Sequence, residues 1–247
     1  MEALMQVLES TMAARDPYTV GHQRRVSQIA CTIGREMGLS EDRINNLRIA
    51  GALHDLGKFA IPSDLLSKPG KLTPAEFALI KTHPQVAYNI LSPITLPGNT
   101  ATVILQHHER LNGSGYPQGL KGEQILLEAR ILGVADVMEA MCSHRPYRAS
   151  LGLAETLEEL TRNQGILYDP AVVAACLKLY EQELPNFPEV SDGARAQENS
   201  ARVSVLPQAE ASKPRSGAKL HLGHRSWLQL GSASILGWLI MASVSSF

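Results

Sequence analysis

His54-Asp55-Leu56-Gly57-Lys58 ends an apolar, helix-like run that begins at Ile44. On a helix, the adjacent histidine and aspartate would stand about 100° apart. Lys58, four residues after His54, would return to the same face. A histidine, a carboxylate and a cation converging on one spot suit metal-bound phosphate chemistry. Gly57 would leave room for a ligand to approach the backbone. Most His-Asp dipeptides are surface or core accidents, so the weight of this one comes from its surroundings.

Upstream, Leu4, Met5, Leu8 and Met12 recur at helical spacing within Met1 to Ala14. Arg15-Asp16-Pro17-Tyr18 breaks that run. A second helix is predicted to about Met37, with Val26, Ile29, Ile33 and Met37 on one stripe and His22 near its start. Gly38, Ser40, Glu41 and Asp42 then supply a stop, an N-cap and an acidic first turn for the helix that reaches His54.

Downstream of Pro62 a short helical piece leads to the turn Lys68-Pro69-Gly70-Lys71. Thr73-Pro74-Ala75-Glu76 is a strong helix start, and that helix is predicted to run to His83, where Pro84 interrupts it. Another helix reaches about Leu91. Thr100 to Glu109 reads as a helix ending in His107-His108-Glu109. Leu111 to Gly122, with four glycines and one proline, cannot be a regular helix or strand, and it carries Tyr116 at its centre. Such a loop is flexible or is an active-site lid. Glu128 to Cys142 is helical, and Asp136 is a lone acid on its apolar run that needs a partner. After the basic turn His144-Arg145-Pro146-Tyr147-Arg148, helices follow from Leu153 to Thr161 and from Asp169-Pro170 to about Tyr180. The fold class is all-α, with eight or more helices.

The 247 residues carry 23 basic and 24 acidic side chains, a balance that gives no sign of a surface for a nucleic acid polymer. Cys31, Cys142 and Cys176 are far apart and form no Cys-x-x-Cys pair, so neither a disulfide framework nor a zinc finger is indicated, and reduced thiols fit a cytoplasmic protein. Residues 1–16 read as a leading helix and linker, 17–183 as the main domain, and 184–225 as a disordered linker rich in Pro, Ser, Ala, Glu and Arg. Residues 226–247 contain no charged side chain and are about the length of a membrane span, yet hold many serines. An unstructured tail, a C-terminal membrane anchor at the inner face and an extra core element all remain open for them.

His22, His54, His83, His107 and His108 each fall at a helix end or against a turn. With Asp55 and Asp136 they make seven nitrogen and oxygen ligands and no thiolate. Two metals sharing Asp55 would use them all. A set so rich in histidine favours a first-row transition metal over magnesium, and six-coordinate iron or manganese over tetrahedral zinc.

From residue 16 to about 180 the chain resembles an HD-GYP domain, a branch of the HD phosphohydrolase superfamily. The motifs stand in order: Arg15-Asp16-Pro17-Tyr18-Thr19-Val20-Gly21-His22, His54-Asp55-Leu56-Gly57-Lys58, Lys68-Pro69-Gly70, His83-Pro84, His107-His108-Glu109, Gly113-Ser114-Gly115-Tyr116-Pro117, Val134-Ala135-Asp136 and Arg145-Pro146-Tyr147-Arg148. The resemblance implies an HD-domain helical bundle with a Gly-Tyr-Pro loop and extra C-terminal helices. It implies a phosphodiesterase that opens cyclic di-GMP to the linear dinucleotide, with some members continuing to GMP. In that family His22, His54, Asp55 and Asp136 would hold one metal, and Asp55 would bridge to a second held by His83, His107 and His108. A shared hydroxide would attack the phosphorus in line, and Lys58 would contact a substrate phosphate. Arg145 and Arg148 offer forked donors to phosphate or guanine, or else an ion pair between helices. Within the Gly115-Tyr116-Pro117 turn, Tyr116 would stack on a base or close the loop.

Family members commonly follow a sensor or receiver domain. The chain therefore reads as an output domain, standing alone or cut from a longer protein. The expected partners are such an upstream domain, a diguanylate-cyclase-type protein, and a second copy in a homodimer. A membrane is a partner only if residues 226–247 insert. Three positions depart from the family pattern. Asn112 replaces the usual Asp before the Gly-Tyr-Pro loop, Tyr18 stands where three-metal members have Glu, and Glu139 replaces an Asp. Two alternatives stand beside this reading: a cyclic di-GMP-sensing or docking module without turnover, and an HD phosphohydrolase for another cyclic nucleotide.

Overall fold

The computed structural model of the protein describes residues 7–8, 10–12, 17–68, 70–143 and 150–183. Among the described residues, 7–8 and 10–12 are helical, and the helices that follow are α1 (Pro17–Glu36), α2 (Glu41–Leu53), α3 (Ser63–Leu66), α4 (Pro74–Ile80), α5 (His83–Leu91), α6 (Thr100–Gln106), α7 (Leu127–Cys142), α8 (Leu153–Asn163) and α9 (Pro170–Glu183). Short 3-10 turns cover Leu56–Ala60 and Gly122–Gln124. Among the described residues extended pairing is limited to two isolated bridges, Asn112 with Lys121 and Gln164 with Tyr168. The all-α expectation holds.

α7 is the hub. Every residue from Ile131 to Met141 is buried, because the helix is covered by α1 on one side and by α2, α6, α8 and α9 on others. The stripe Val26, Ile29 and Ile33 of α1 and Ile44, Leu47 and Leu53 of α2 join Leu132, Val134 and Met138 in one apolar core. Burying a side chain of this size contributes roughly 1.5–3 kcal/mol. The caps work largely as the sequence suggests. Thr73 and Glu76 form the reciprocal box at the start of α4, and Lys68 Nζ lies 2.6 Å from Glu76. Asp169 accepts from the Ala171 amide at 2.8 Å and receives Arg130 of α7 at 2.6 Å, which pins the start of α9 to the hub. Ser40 adopts the extended cap conformation without a side-chain bond.

Two helix ends differ from the expectation. α4 stops at Ile80, so His83 opens α5 instead of closing α4, and Pro84 sits in the first turn, where a missing N–H costs nothing. α6 stops at Gln106, leaving His107 and His108 in the turn beyond it. The room expected beside Gly57 is also taken. A Cβ there would lie 1.9 Å from the His83 carbonyl oxygen, so this glycine lets α5 approach the 3-10 turn and offers no space to a ligand. Among the described residues no helix is long and apolar enough to cross a membrane. Arg145, Arg148, the linker and the uncharged segment 226–247 lie outside the described residues.

Candidate metal centre

Three histidines are aimed by one local device. His54, His83 and His107 each stand just past a helix C-terminus and turn Nδ1 back to the carbonyl three residues earlier. These acceptors are Gly51 at 2.8 Å, Ile80 at 2.8 Å and Ile104 at 2.6 Å. The last turn of a helix leaves its carbonyls without amide partners, so the ring satisfies an orphan acceptor. A carbonyl can only accept, so the proton is on Nδ1 and the lone pair is on Nε2. Those three Nε2 atoms are buried with no hydrogen-bond partner. An unpartnered buried acceptor is costly unless a cation or proton completes it.

The lone pairs converge. One ligand atom from each of His83, His107 and His108 lies within 4.8 Å of the others, and the same is true of His22, His54 and Asp136. The two groups adjoin, with the His54 and His107 rings 5.2 Å apart. Asp55 lies between them. Its Oδ2 is 3.5 Å from His54 Nε2 and 3.8 Å from His22 Nε2, while its Oδ1 is 3.5 Å from His83 Nε2. All seven expected side chains are therefore brought together, and all are buried. His54, Asp55 and Lys58 do not share one helix face. α2 ends at Leu53 and the 3-10 turn Leu56–Ala60 follows, which swings Asp55 between the groups and sets Lys58 Nζ 2.8 Å from Asp55 Oδ2.

The charges divide the centre. Burial opposes ionisation of Asp55, but its positive surroundings, led by the adjacent Lys58 ammonium, together outweigh it and hold the carboxyl well below the usual range. Asp136 is likewise held down to about 2, burial being outweighed by its bond to His22 and the nearby His54 and His22 rings together. His22 is pushed up to about 9, because Glu139 and Asp136 overcome the burial that would lower it. In the other group burial wins. His83 falls to about 4, and His107 and His108 fall well below the usual histidine value. A divalent cation needs neutral imidazoles and ionised carboxylates: the three-histidine group already has its imidazoles neutral, whereas a cation in the other group would displace the His22 proton. Each group can hold a metal ion.

The Gly-Tyr-Pro loop closes over the three-histidine group. The Tyr116 ring stacks on His108 at 4.7 Å, and Phe77 meets it edge-on at 6.5 Å. A Cβ at Gly115 would sit 2.4 Å from the His108 carbonyl oxygen, so only glycine lets the loop lie this close. The Tyr116–Pro117 peptide is cis. Asn112 does the turn-forming work open to an aspartate at that position, accepting from the Ser114 amide at 3.0 Å and hydroxyl at 2.7 Å.

Two residues that the sequence reading named without assigning them a role contribute to the site. Glu109 is buried, and its two oxygens accept the Gln118 and Leu120 amides at 2.7 and 2.9 Å, which anchors the loop to the histidine turn. Glu139 holds His22 from behind. The available signals were an acid directly after a histidine pair and an acid three residues after Asp136 on the same helix face.

A model of the HD domain family matches residues 6–172, and the chain belongs to that family. A cyclic di-GMP phosphodiesterase of Thermotoga maritima is 42% identical over 72% of this chain and 49% of its own length. The cyclic di-GMP phosphodiesterase response regulator RpfG of Xanthomonas campestris is 43% identical over 66% of this chain and 44% of its own. The chain thus spans about half the length of these curated relatives. The crystal structure of a cyclic GMP-AMP specific phosphodiesterase of Vibrio cholerae superposes with a TM-score of 0.53 at 22% identity, covering 72% of this chain and 47% of that one, and so shares the fold. These relatives bear out the resemblance to HD-GYP domains.

Proposed function

We propose that residues 17–183 form the catalytic domain of a metal-dependent phosphodiesterase that hydrolyses cyclic di-GMP to the linear dinucleotide, with GMP as a further product. One observation carries this reading. Three buried Nε2 lone pairs lack partners and converge with Asp55, whose two oxygens face two adjacent groups of ligands. His22, His54 and Asp136 would hold one metal, and His83, His107 and His108 the other, with Asp55 shared. The donor set favours iron or manganese. When bound, such a pair supplies a Lewis acid for the phosphate and an activated water.

The remaining work falls to the chain's own residues. Asp55, kept ionised by Lys58, offers negative charge to both halves of the site. Lys58 holds a fixed positive charge beside it, where phosphate oxygens gather negative charge as the ester breaks. Tyr116 and the Gly115 backbone roof the three-histidine half and keep bulk water from it. Arg145 and Arg148 follow α7 in sequence and would supply forked donors to a second phosphate or a guanine edge.

The test is anaerobic purification, metal analysis, and chromatography of products from cyclic di-GMP and from 3′3′-cyclic GMP-AMP. Linear dinucleotide formed from cyclic di-GMP, and lost with chelation, supports the proposal. Metal-loaded protein that binds cyclic di-GMP without product overturns turnover and leaves a sensing module. Product from the mixed dinucleotide alone would move the substrate.

A further inference from the structure

His22 cannot use the device that aims the other three histidines. It lies inside α1, where the carbonyls one turn back are engaged in the helix's own hydrogen bonds. Its Nδ1 needs an acceptor from elsewhere, and Glu139 Oε2 of α7 provides it. The opposite oxygen of Glu139 receives Arg25 Nε at 2.7 Å, Arg25 Nη2 at 2.5 Å and the Ser143 hydroxyl at 2.5 Å. Glu139 is 1% exposed. Three residues earlier on α7, Asp136 Oδ1 stands 3.2 Å from Nε2 of the same imidazole. One face of α7 therefore grips both nitrogens of His22, and Arg25, three residues along α1, neutralises the carboxylate that does so.

We propose that Glu139 is a positioning residue that sets the metal affinity of the His22 half alone. The inference rests on the metal-centre reading above. An acceptor behind a metal-binding imidazole fixes its tautomer and orientation and raises its basicity, and the full negative charge of Glu139 does so more strongly than the neutral carbonyls behind His54, His83 and His107. Arg25 keeps the buried carboxylate from being an unpaired charge. The two halves thus differ in how firmly one ligand is presented, through a residue that touches neither metal nor substrate.

The experiment is manganese titration of metal-free Glu139→Gln, Glu139→Asp and wild-type protein in competition with a chelator, alongside thermal melts. Glu139→Gln retains shape and an acceptor for Nδ1–H but loses the charge and the ion pair with Arg25. It is expected to weaken one manganese equivalent about ten- to hundredfold and leave the other unchanged. Glu139→Asp, which restores the charge, is expected to recover most of that loss. Unchanged binding of both equivalents in Glu139→Gln, or equal weakening of both, overturns the role of Glu139. Wild-type protein that takes up no manganese, iron or other divalent metal overturns the metal-centre reading itself, and this inference with it.

Discussion

The His83, His107 and His108 group and the His22, His54 and Asp136 group use the same ligand side chain in opposite surroundings. In the first, Asp55 is the carboxylate beside His83, and desolvation outweighs it and keeps the imidazoles neutral. In the second, Asp136 and Glu139 press on His22 from both sides and raise it to about 9. Burial alone thus leaves a lone pair ready for a cation at neutral pH. Burial beside carboxylates stores a proton that a cation must displace. Asp55 belongs to both settings, and Lys58 keeps it ionised for both.

The harshest way to break the comparison is to remove what the halves share. Asp55→Ala should cost both metals and reduce hydrolysis to background, and it leaves Lys58 as a buried unpaired charge, a change of about 3–5 kcal/mol in stability. Metal content, product chromatography and urea melts check it. Retained metal and rate would refute the shared-carboxylate arrangement. Next come the halves separately. His83→Ala should empty the three-histidine half and His22→Ala the carboxylate half, each leaving the other metal in place by mass spectrometry of the loaded protein. Loss of both metals from either variant would mean that the halves are one cooperative site.

Lys58→Ala should keep both metals and lower turnover about a hundredfold, the effect of losing one positioned electrostatic donor. An unchanged rate would remove Lys58 from the phosphate site. The comparison can also be sharpened without substrate, through the stability of the metal-free protein. His83, lowered from 6.5 to about 4, contributes stability that is present above pH 6.5 and is lost as pH falls through about 4. His22, raised to about 9, contributes stability present below pH 6.5 that is lost as pH rises through about 9. Each limb is worth on the order of 3 kcal/mol. Urea melts across pH should therefore peak near neutrality, with His83→Ala flattening the acid limb and His22→Ala the alkaline one.

The smallest effect is expected from the largest deletion. Removing residues 184–247 should leave both halves loaded and hydrolysis intact, since that segment supplies no ligand. Loss of activity would show that the tail packs on the catalytic domain. Fractionation adds a separate answer, because a protein anchored through 226–247 would sediment with membranes and be released by the deletion.

The helices were legible because their signals are local. The stripe on α1, the Thr73 box before α4 and the Asp169-Pro170 start of α9 depend on neighbours within one turn. Three members of the ligand set were legible for a related reason: His54, His83 and His107 sit past helix ends where a carbonyl three residues back awaits a donor, whereas His22 lies inside α1. Exact helix ends at His83 and His107 were not legible, since ring-to-carbonyl bonds ending a helix leave no mark on periodicity. Gly57 was misjudged because the backbone filling its space arrives from α5, 26 residues later.

By itself, the sequence determined which side chains are available: five histidines, two aspartates and a lysine in motifs whose order and spacing identify an HD domain. It determined an all-α domain over residues 17–183, because apolar periodicity and caps are properties of short windows. Only the tertiary structure decided how those side chains divide. The 3-10 turn after α2 swings Asp55 between two groups, and the packing of α1 on α7 sets Glu139 behind His22, 117 residues apart in the chain. The physical reason is range. Helix formation is fixed by contacts within four residues, whereas the sharing of a carboxylate and the protonation of an imidazole depend on burial and on charges delivered by helices distant in sequence.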